Sequence, residues 1–338
     1  MNSTILVHPD FDGSWPFAAD HLHALWHAEG AVEFIRLPHG DKRPAGEILE
    51  RGAEVSRLAL LGVLLSEACL SRFGGLRELG LLHAKLNPVV NETLKARNVA
   101  VYSTRSEGFW GQSVSEYGLA LTLCGLRRIP QDHHAIQTNQ APWNYSPEGG
   151  RGTPGKRGHQ FGDDANFSNG TLCGKRVRVV GAGNIASRYA SFCHSIGADV
   201  AAWDPFASEP CFHRAGARRE QHLERLVQDA EIFAPMVPLN DSTRGIVTAA
   251  HIDALPKGCL VVLVTRAMIC DMEALRRRVL KDELALAADV FDVEPLPLND
   301  PLLGRHNVVH TPHNAGRTKE ANFALAQHLA EQFRPVGR

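Results

Sequence analysis

The chain has no long hydrophobic run. Its longest, LALLGVLL from Leu58 to Leu65, is far too short to span a bilayer, so no membrane partner is expected. It also has no excess of either charge: 36 Lys and Arg stand against 37 Asp and Glu, a net charge of −1. That leaves no basic surface for phosphate backbones, and nucleic acid is not an expected partner. The opening MNSTILVHPDFDGSW has no basic start, no long apolar core and no small-residue cleavage site, so it does not read as a signal peptide. No C-x-x-C pair occurs. Seven scattered cysteines, an odd number, read as reduced and mostly structural thiols of a cytoplasmic protein. There is no fixed-period repeat and no low-complexity tract.

What is present is an ordinary globular composition, 44% hydrophobic and 22% charged, over 338 residues, a length that predicts two domains. Seventeen histidines are many. His306, His310 and His313, spaced by four and three, would suggest metal ligands on a helix. Asn307, Val308 and Val309 argue for a strand instead, which sends His310 and His313 to opposite faces, so no metal site is expected. VVHTPHNAG then reads as a strand emptying into a loop, a place where sites are built.

Along the first hundred residues, short apolar runs alternate with helical patterns. STILVHP, VEFIRLP, RLALLGVLL, LGLLHAKL and ARNVAVYS read as strands; HLHALWHAEG and AGEILERGAEV read as helices. Such alternation predicts a parallel sheet covered by helices. Ser113 to Ile129 is the longest clean helical stretch, mostly apolar, with Pro130 just beyond it, and is expected to be buried between domains or at a subunit contact. Gln137 to Gly174, rich in Gly, Pro, Asn and Asp, is too long for an ordinary connection. It is either a surface loop or an arm wrapping a partner subunit, anchored by Trp143 and Tyr145.

A second strand-helix series follows. KRVRVVGAGN, ADVAAWDP, EIFAPMVPL, GCLVVLVTRA, LALAADVFD and NVVHTPH read as strands. IASRYASFCHSIG, EQHLERLVQDA, TAAHIDALP and DMEALRRRVLKD read as helices. Within it RVRVVGAGNIASRYA carries Gly181, Gly183 and Ala186 as G-x-G-x-x-A between a β-branched strand and a helix. Gly181 permits the sharp turn, Gly183 lets backbone approach a pyrophosphate, and Ala186 keeps helix and strand close. The helix N-terminus offers free N–H groups to the anion. Asp204 lies 21 residues past Gly183, at the end of the next strand, where a carboxylate accepts from ribose hydroxyls and repels a 2′-phosphate. NAD is the expected cofactor.

From the long helix onward the chain resembles the D-2-hydroxyacid dehydrogenase family. VSEYGLALTLCGLRRI is similar to that family's interdomain helix, VRVVGAGNIA to its cofactor turn, AAWDP to its ribose strand and PLNDSTRGIV to its Pro-Leu-Thr segment. LVVLVTRAMICDMEAL, AADVFDVEPLPLNDPLL and NVVHTPHNAGRT follow in the family's order. The resemblance implies two Rossmann-like α/β domains, parallel sheets with helices on both faces, and an active-site cleft between them. A split substrate domain would take residues 1–103 and 314–338, and an NAD-binding Rossmann domain residues 104–313. It implies His313 as the catalytic acid and base, Glu294 as its acidic companion, and Arg266 as the substrate-binding arginine. Gly181, Gly183, Asn184, Ile185, Asp204, Pro238, Thr265 and Asp289 would touch the cofactor, Asp289 at the nicotinamide carboxamide. It further implies a homodimer.

The implied chemistry is sound. Reducing a 2-oxo acid puts a hydride on the carbonyl carbon and a proton on the oxygen. Histidine side chains titrate near neutral pH and serve as such a proton donor. A carboxylate beside the ring favours the imidazolium, and a guanidinium stabilises charge developing on the oxygen.

The chain departs from the family pattern at Ala267, Leu263 and Met236, where glycine, asparagine and a histidine or asparagine are usual. The largest departure is LLHAKLNPVVNETL, which sets His83 and Lys85 where the family has glycines whose backbone N–H groups receive the substrate carboxylate. Lys85, with Asn87 nearby, is the expected replacement, so the substrate is a small anion. In TRSEGFWGQ, Phe109, Trp110 and Gln112 are expected to line a pocket for a larger or polar substrate, with Trp110 a substrate contact. Two rival readings remain open: oxidation of another small anion, formate- or phosphite-like, and a noncatalytic NAD-sensing regulator.

Overall fold

The computed structural model describes residues 2–103, 109–143 and 164–334. The chain divides into two compact units, Met1–Trp110 with Arg317–Arg338, and Gly111–Gly316. Tyr145 and Thr104–Gly108 lie outside the described residues.

The first unit contains β1 (Asn2–Val7), α1 (Pro9–Ser14), α2 (Ala18–His27), β2 (Val32–Arg36), α3 (Ala45–Ile48), β3 (Val55–Leu61), β4 (Glu78–Leu82), α4 (Pro88–Ala96) and β5 (Ala100–Ser103). Among the described residues the strands form one parallel sheet in the order β2-β1-β3-β4-β5. Its central strands are apolar without alternation, as both faces are covered: Leu58–Leu61 and Ile5–Val7 are essentially inaccessible. AGEILERGAEV is not one helix. Only Ala45–Ile48 is helical, a 3-10 turn follows at Gly52–Glu54, and Val55 already belongs to β3, paired beside β1. Sheet pairing overrode the local helical spacing.

A C-terminal helix, Lys319–Ala330, packs on α2 in this unit. The Thr318 hydroxyl caps it by accepting from Ala321 N–H at 3.1 Å. Asn322 Oδ1 accepts from Phe17 N–H at 3.1 Å, and beyond the helix the Phe333 ring meets Trp26 edge-on at 4.8 Å. The buried Arg57 guanidinium lies over both rings and bonds Glu29 at 2.8 Å, which pairs its charge.

The second unit contains α5 (Gly111–Arg127), α6 (Ile129–Ala135), β6 (Arg176–Val180), α7 (Asn184–Ser195), β7 (Asp199–Trp203), α8 (Glu209–Ala215), β8 (Arg218–Arg219), α9 (Leu223–Leu226), β9 (Ile232–Pro235), α10 (Ala249–Ala254), β10 (Leu260–Leu263), α11 (Met272–Leu280), β11 (Ala285–Ala288) and β12 (Val308–His310). Among the described residues its strands form one parallel sheet, β12-β11-β10-β9-β6-β7-β8. The strand order reverses at β6, the place where doubly wound sheets bind ligands. The long helix α5 packs its apolar face on α7 and on β10 to β12 of this unit. Its end is set by Arg128 in the left-handed conformation, φ +55, and Pro130 then opens α6. EQHLERLVQDA yields only the four residues of α9. Trp143 ends a short 3-10 turn, Ala141–Trp143, and is exposed.

Candidate active site

The carboxyl ends of β6, β7 and β9 bring three backbone segments together. Val180 is level with Trp203 and Pro235 across the sheet. Gly181 N–H donates to Trp203 O at 2.7 Å, and Met236 N–H donates to Val180 O at 2.8 Å. Gly181 has φ +111, and a side chain there would meet Met236 O and Val237 Cγ1 at 3.1 Å, so the turn demands glycine for conformation and for space. Gly183 differs: a Cβ built on it meets nothing within 4 Å. The fold makes no use of its missing side chain, which leaves room beside the first turn of α7 for a ligand. The first N–H groups of that helix have no intrahelical acceptor and face an anion well. Ala186 is fully buried behind the turn.

Asp204 is built into the same place. Its Oδ2 accepts from Ala182 N–H at 2.9 Å, and its Oδ1 accepts from Phe206 and Ala207 N–H at 3.0 Å each. The carboxylate is fixed in direction yet only half-buried, with a lone pair on Oδ2 left for a hydroxyl. Asn184 opens α7 and bonds Arg188 through its side chain, and Ile185 follows it, its carbonyl accepting from Ser115 Oγ at 3.0 Å. Pro238 O accepts from the Thr243 hydroxyl at 2.5 Å, which holds the loop after β9. Thr265 Oγ1 donates to Pro235 O at 3.4 Å and ties the end of β10 to that of β9. Room at Gly183, helix N–H groups and an oriented acid together fit a dinucleotide.

The chemistry-bearing side chains leave the next three strands. Leu263, Ala288 and His310 stand level across β10, β11 and β12. Arg266 is three residues beyond the first, Asp289 one beyond the second, and His313 three beyond the third. Neighbouring strands lie about 4.8 Å apart, so the outer two exits are separated by roughly 10 Å. His313 and Glu294 meet directly, Nδ1 to Oε2 at 2.6 Å. The other Glu294 oxygen accepts from Phe291 N–H at 2.8 Å, which aims the carboxylate. Nδ1–H therefore donates to Glu294, and Nε2 is the nitrogen left for chemistry. Both side chains are partly exposed. Arg266 is exposed; among the described residues its one hydrogen bond is from Nη1 to Thr265 O at 2.6 Å, so its guanidinium does not join the His313–Glu294 pair.

One connection was not legible from the motifs. Asp289 is completely buried. Its carboxylate accepts from Thr311 Oγ1 at 2.7 Å, from Asn314 N–H at 3.1 Å and from Ala315 N–H at 2.9 Å. These three bonds clamp the turn in which His313 takes a left-handed backbone, φ +52, an uncommon state for a residue with a side chain. The hydroxyl of Thr311, between strand and histidine, was the available signal. The three positions at which the chain departs from the family pattern, Met236, Leu263 and Ala267, are apolar and buried.

The remaining candidates belong to the first unit. Lys85 is exposed shortly after β4. Asn87 caps α4, its Oδ1 accepting from Val89 N–H at 2.7 Å, which leaves its amide hydrogens for a ligand. Trp110 stacks on Trp15, centroids 5.8 Å apart.

A family model described as D-isomer specific 2-hydroxyacid dehydrogenase, NAD binding domain, matches residues 120–315, more than half of the chain. The cofactor of the cradle is NAD. Among curated relatives, the chain is 28% identical over 222 residues to a D-3-phosphoglycerate dehydrogenase of Archaeoglobus fulgidus, covering 65% of this chain and 38% of that protein. It is 27% identical over 249 residues to a glyoxylate reductase of Aeropyrum pernix, covering 70% and 67%. The chain thus spans about two fifths of the length of the first of these relatives. A D-isomer specific 2-hydroxyacid dehydrogenase from Lactobacillus delbrueckii ssp. bulgaricus, solved in its NAD-complexed form, shares the fold with TM-score 0.71 at 17% identity, over 98% of this chain and 96% of that one.

Proposed function

Because the chain belongs to the D-isomer specific 2-hydroxyacid dehydrogenases, we propose that it is an NAD-dependent oxidoreductase that interconverts a 2-oxo acid and a D-2-hydroxy acid. The observation that carries this reading is the His313–Glu294 pair, held at the same carboxyl end of the parallel sheet as the glycine turn. Bound NADH supplies the hydride for the substrate's carbonyl carbon. His313 gives the proton to the carbonyl oxygen from Nε2 and takes it back in the reverse direction. Glu294 orients the ring and stabilises the imidazolium through Nδ1–H. Arg266, free of carboxylate partners among the described residues, holds the substrate's oxygens and offsets negative charge as it develops.

Lys85, Asn87 and Trp110 are proposed substrate contacts, with Lys85 supplying charge for an anionic substrate. Family membership also supports a homodimer working in the cytoplasm. The test is NADH consumption across 2-oxo acids, from glyoxylate to sugar-derived and aromatic ones, beside the reverse assay with D- and L-hydroxy acids. Oxidation of D-isomers only, lost in His313→Ala, supports the reading. Tight NADH binding without turnover on any acid would favour the regulatory alternative.

A further inference from the structure

We propose that His83 is the residue of the first unit that receives the substrate's carboxylate, donating from Nδ1, and that Trp15 is the positioning residue that fixes which nitrogen carries the proton. The inference rests on the function proposed above.

His83 is the first residue after β4, at the carboxyl end of a parallel sheet, and it holds a left-handed backbone, φ +53. Such a conformation persists in a residue with a side chain only where the surroundings impose it, and it concentrates at functional sites. The surroundings here are aromatic. The ring meets Phe11 edge-on at 5.4 Å and Trp15 edge-on at 6.1 Å. Trp15 is held in turn by Trp110, stacked at 5.8 Å, and by Phe109, edge-on at 5.6 Å.

Trp15 Nε1 lies 2.9 Å from His83 Nε2. An indole N–H only donates, so Nε2 is the acceptor and the neutral ring carries its proton on Nδ1. Partial desolvation against these rings lowers the His83 pKa from the ordinary histidine value and so favours the neutral ring. Among the described residues nothing pairs with Nδ1, while the residue itself is exposed. His8, at the end of β1, makes the contrast: its Nδ1 accepts from Asp10 N–H and its Nε2 bonds Asp41 O, so both nitrogens are committed. A fixed Nδ1–H donor with Lys85 two residues on suits one end of a carboxylate, with hydrogen bond and charge from separate side chains.

Steady-state kinetics of His83→Leu, His83→Gln and Trp15→Phe test this on the 2-oxo acid that the wild type reduces best. Losing a hydrogen bond to a charged group raises KM about 10- to 100-fold in His83→Leu, with kcat and NADH Kd within about threefold. His83→Gln recovers part of the loss through its amide hydrogens. Trp15→Phe keeps the ring packing, raises KM about fivefold by the same reasoning, and turns the His83 ring into a mixture of tautomers by ¹⁵N NMR. In the wild type, pyruvate or oxalate added with NAD shifts the His83 Nδ1 resonance. An unchanged KM in His83→Leu overturns the inference, as does an Nδ1 signal indifferent to both anions. Absence of all turnover would remove the proposed reaction, and the ring-nitrogen titration alone would then decide the anion site.

Discussion

Asp289→Asn perturbs the His313 turn with almost no change of shape. Asp289 is completely buried and accepts three hydrogen bonds from Thr311, Asn314 and Ala315. Asparagine keeps one acceptor oxygen and points an amide NH2 at a donor. A bond to a charged group contributes about 1.5–3 kcal/mol and a stranded buried donor costs about 1–3 kcal/mol, so the clamp loses about 3–5 kcal/mol. The left-handed backbone that it maintains at His313 costs roughly 1–2 kcal/mol. The loss exceeds that cost, the turn relaxes, and the imidazole leaves Glu294. The assay is kcat for oxo-acid reduction alongside NADH Kd and thermal unfolding. We expect kcat to fall about 100-fold, equivalent to about 2.7 kcal/mol of barrier, with NADH Kd within about threefold. Thr311→Val, which removes only the hydroxyl bond, lowers kcat about fivefold. A kcat within twofold of wild type would refute the reasoning. So would a preserved kcat with NADH affinity lost, since Asp289 would then serve the carboxamide and not the turn.

Four further outcomes follow from the same geometry. His313→Ala lowers kcat by about 10²–10⁴, the usual worth of a proton-transfer group, while NADH Kd measured by titration stays put. Gly183→Val leaves the melting temperature unchanged, since its side chain enters open space, and weakens NAD binding; Gly181→Ala, at φ +111 with Met236 O at 3.1 Å, lowers the melting temperature instead. Burial pushes the Cys193 thiol up to about 12, and raises Cys259 and Cys270 further, so at pH 8 only about one Cys193 in ten thousand is thiolate. Iodoacetamide at that pH, followed by mass spectrometry, should modify exposed Cys173 and spare these three until the protein unfolds. The Arg178 hydrogen bond holds the Asp229 carboxyl below its ordinary range, so its stabilising effect is present above the unfolded carboxyl pKa, about 3.9, and is lost as pH falls through the folded value. Acid unfolding of Asp229→Asn should therefore show less loss of stability below pH 4 than wild type.

Apart from β8, the two residues Arg218–Arg219, the strands of both sheets were legible because most are short β-branched or leucine-rich runs, and the turn between β6 and α7 was legible because glycines, strand and helix agree there. AGEILERGAEV was misread as a helix because periodicity cannot see that Val55 is needed beside β1. The helix α8 had local marks that went unused: Pro210 near its start and Gly216, φ +59, at its end. The meeting of His313 and Glu294 was legible as a pattern of residues, while the clamp beneath it was not. Asp289 reaches Asn314 and Ala315 only because β11 and β12 pair in one register, and that pairing is tertiary. The tautomer of His83 depends on Trp15, 68 residues away, and was equally out of reach.

In the proposed reaction His313 moves a proton while NADH gives up its hydride. Its most direct test is NADH oxidation with a panel of 2-oxo acids, run on wild type and His313→Ala with cofactor affinity measured in both. The expected result is turnover on at least one acid, a D-hydroxy product, and a variant that binds NADH normally and is nearly inert. A variant as fast as wild type, or a wild type that binds NADH tightly and reduces nothing, would contradict it.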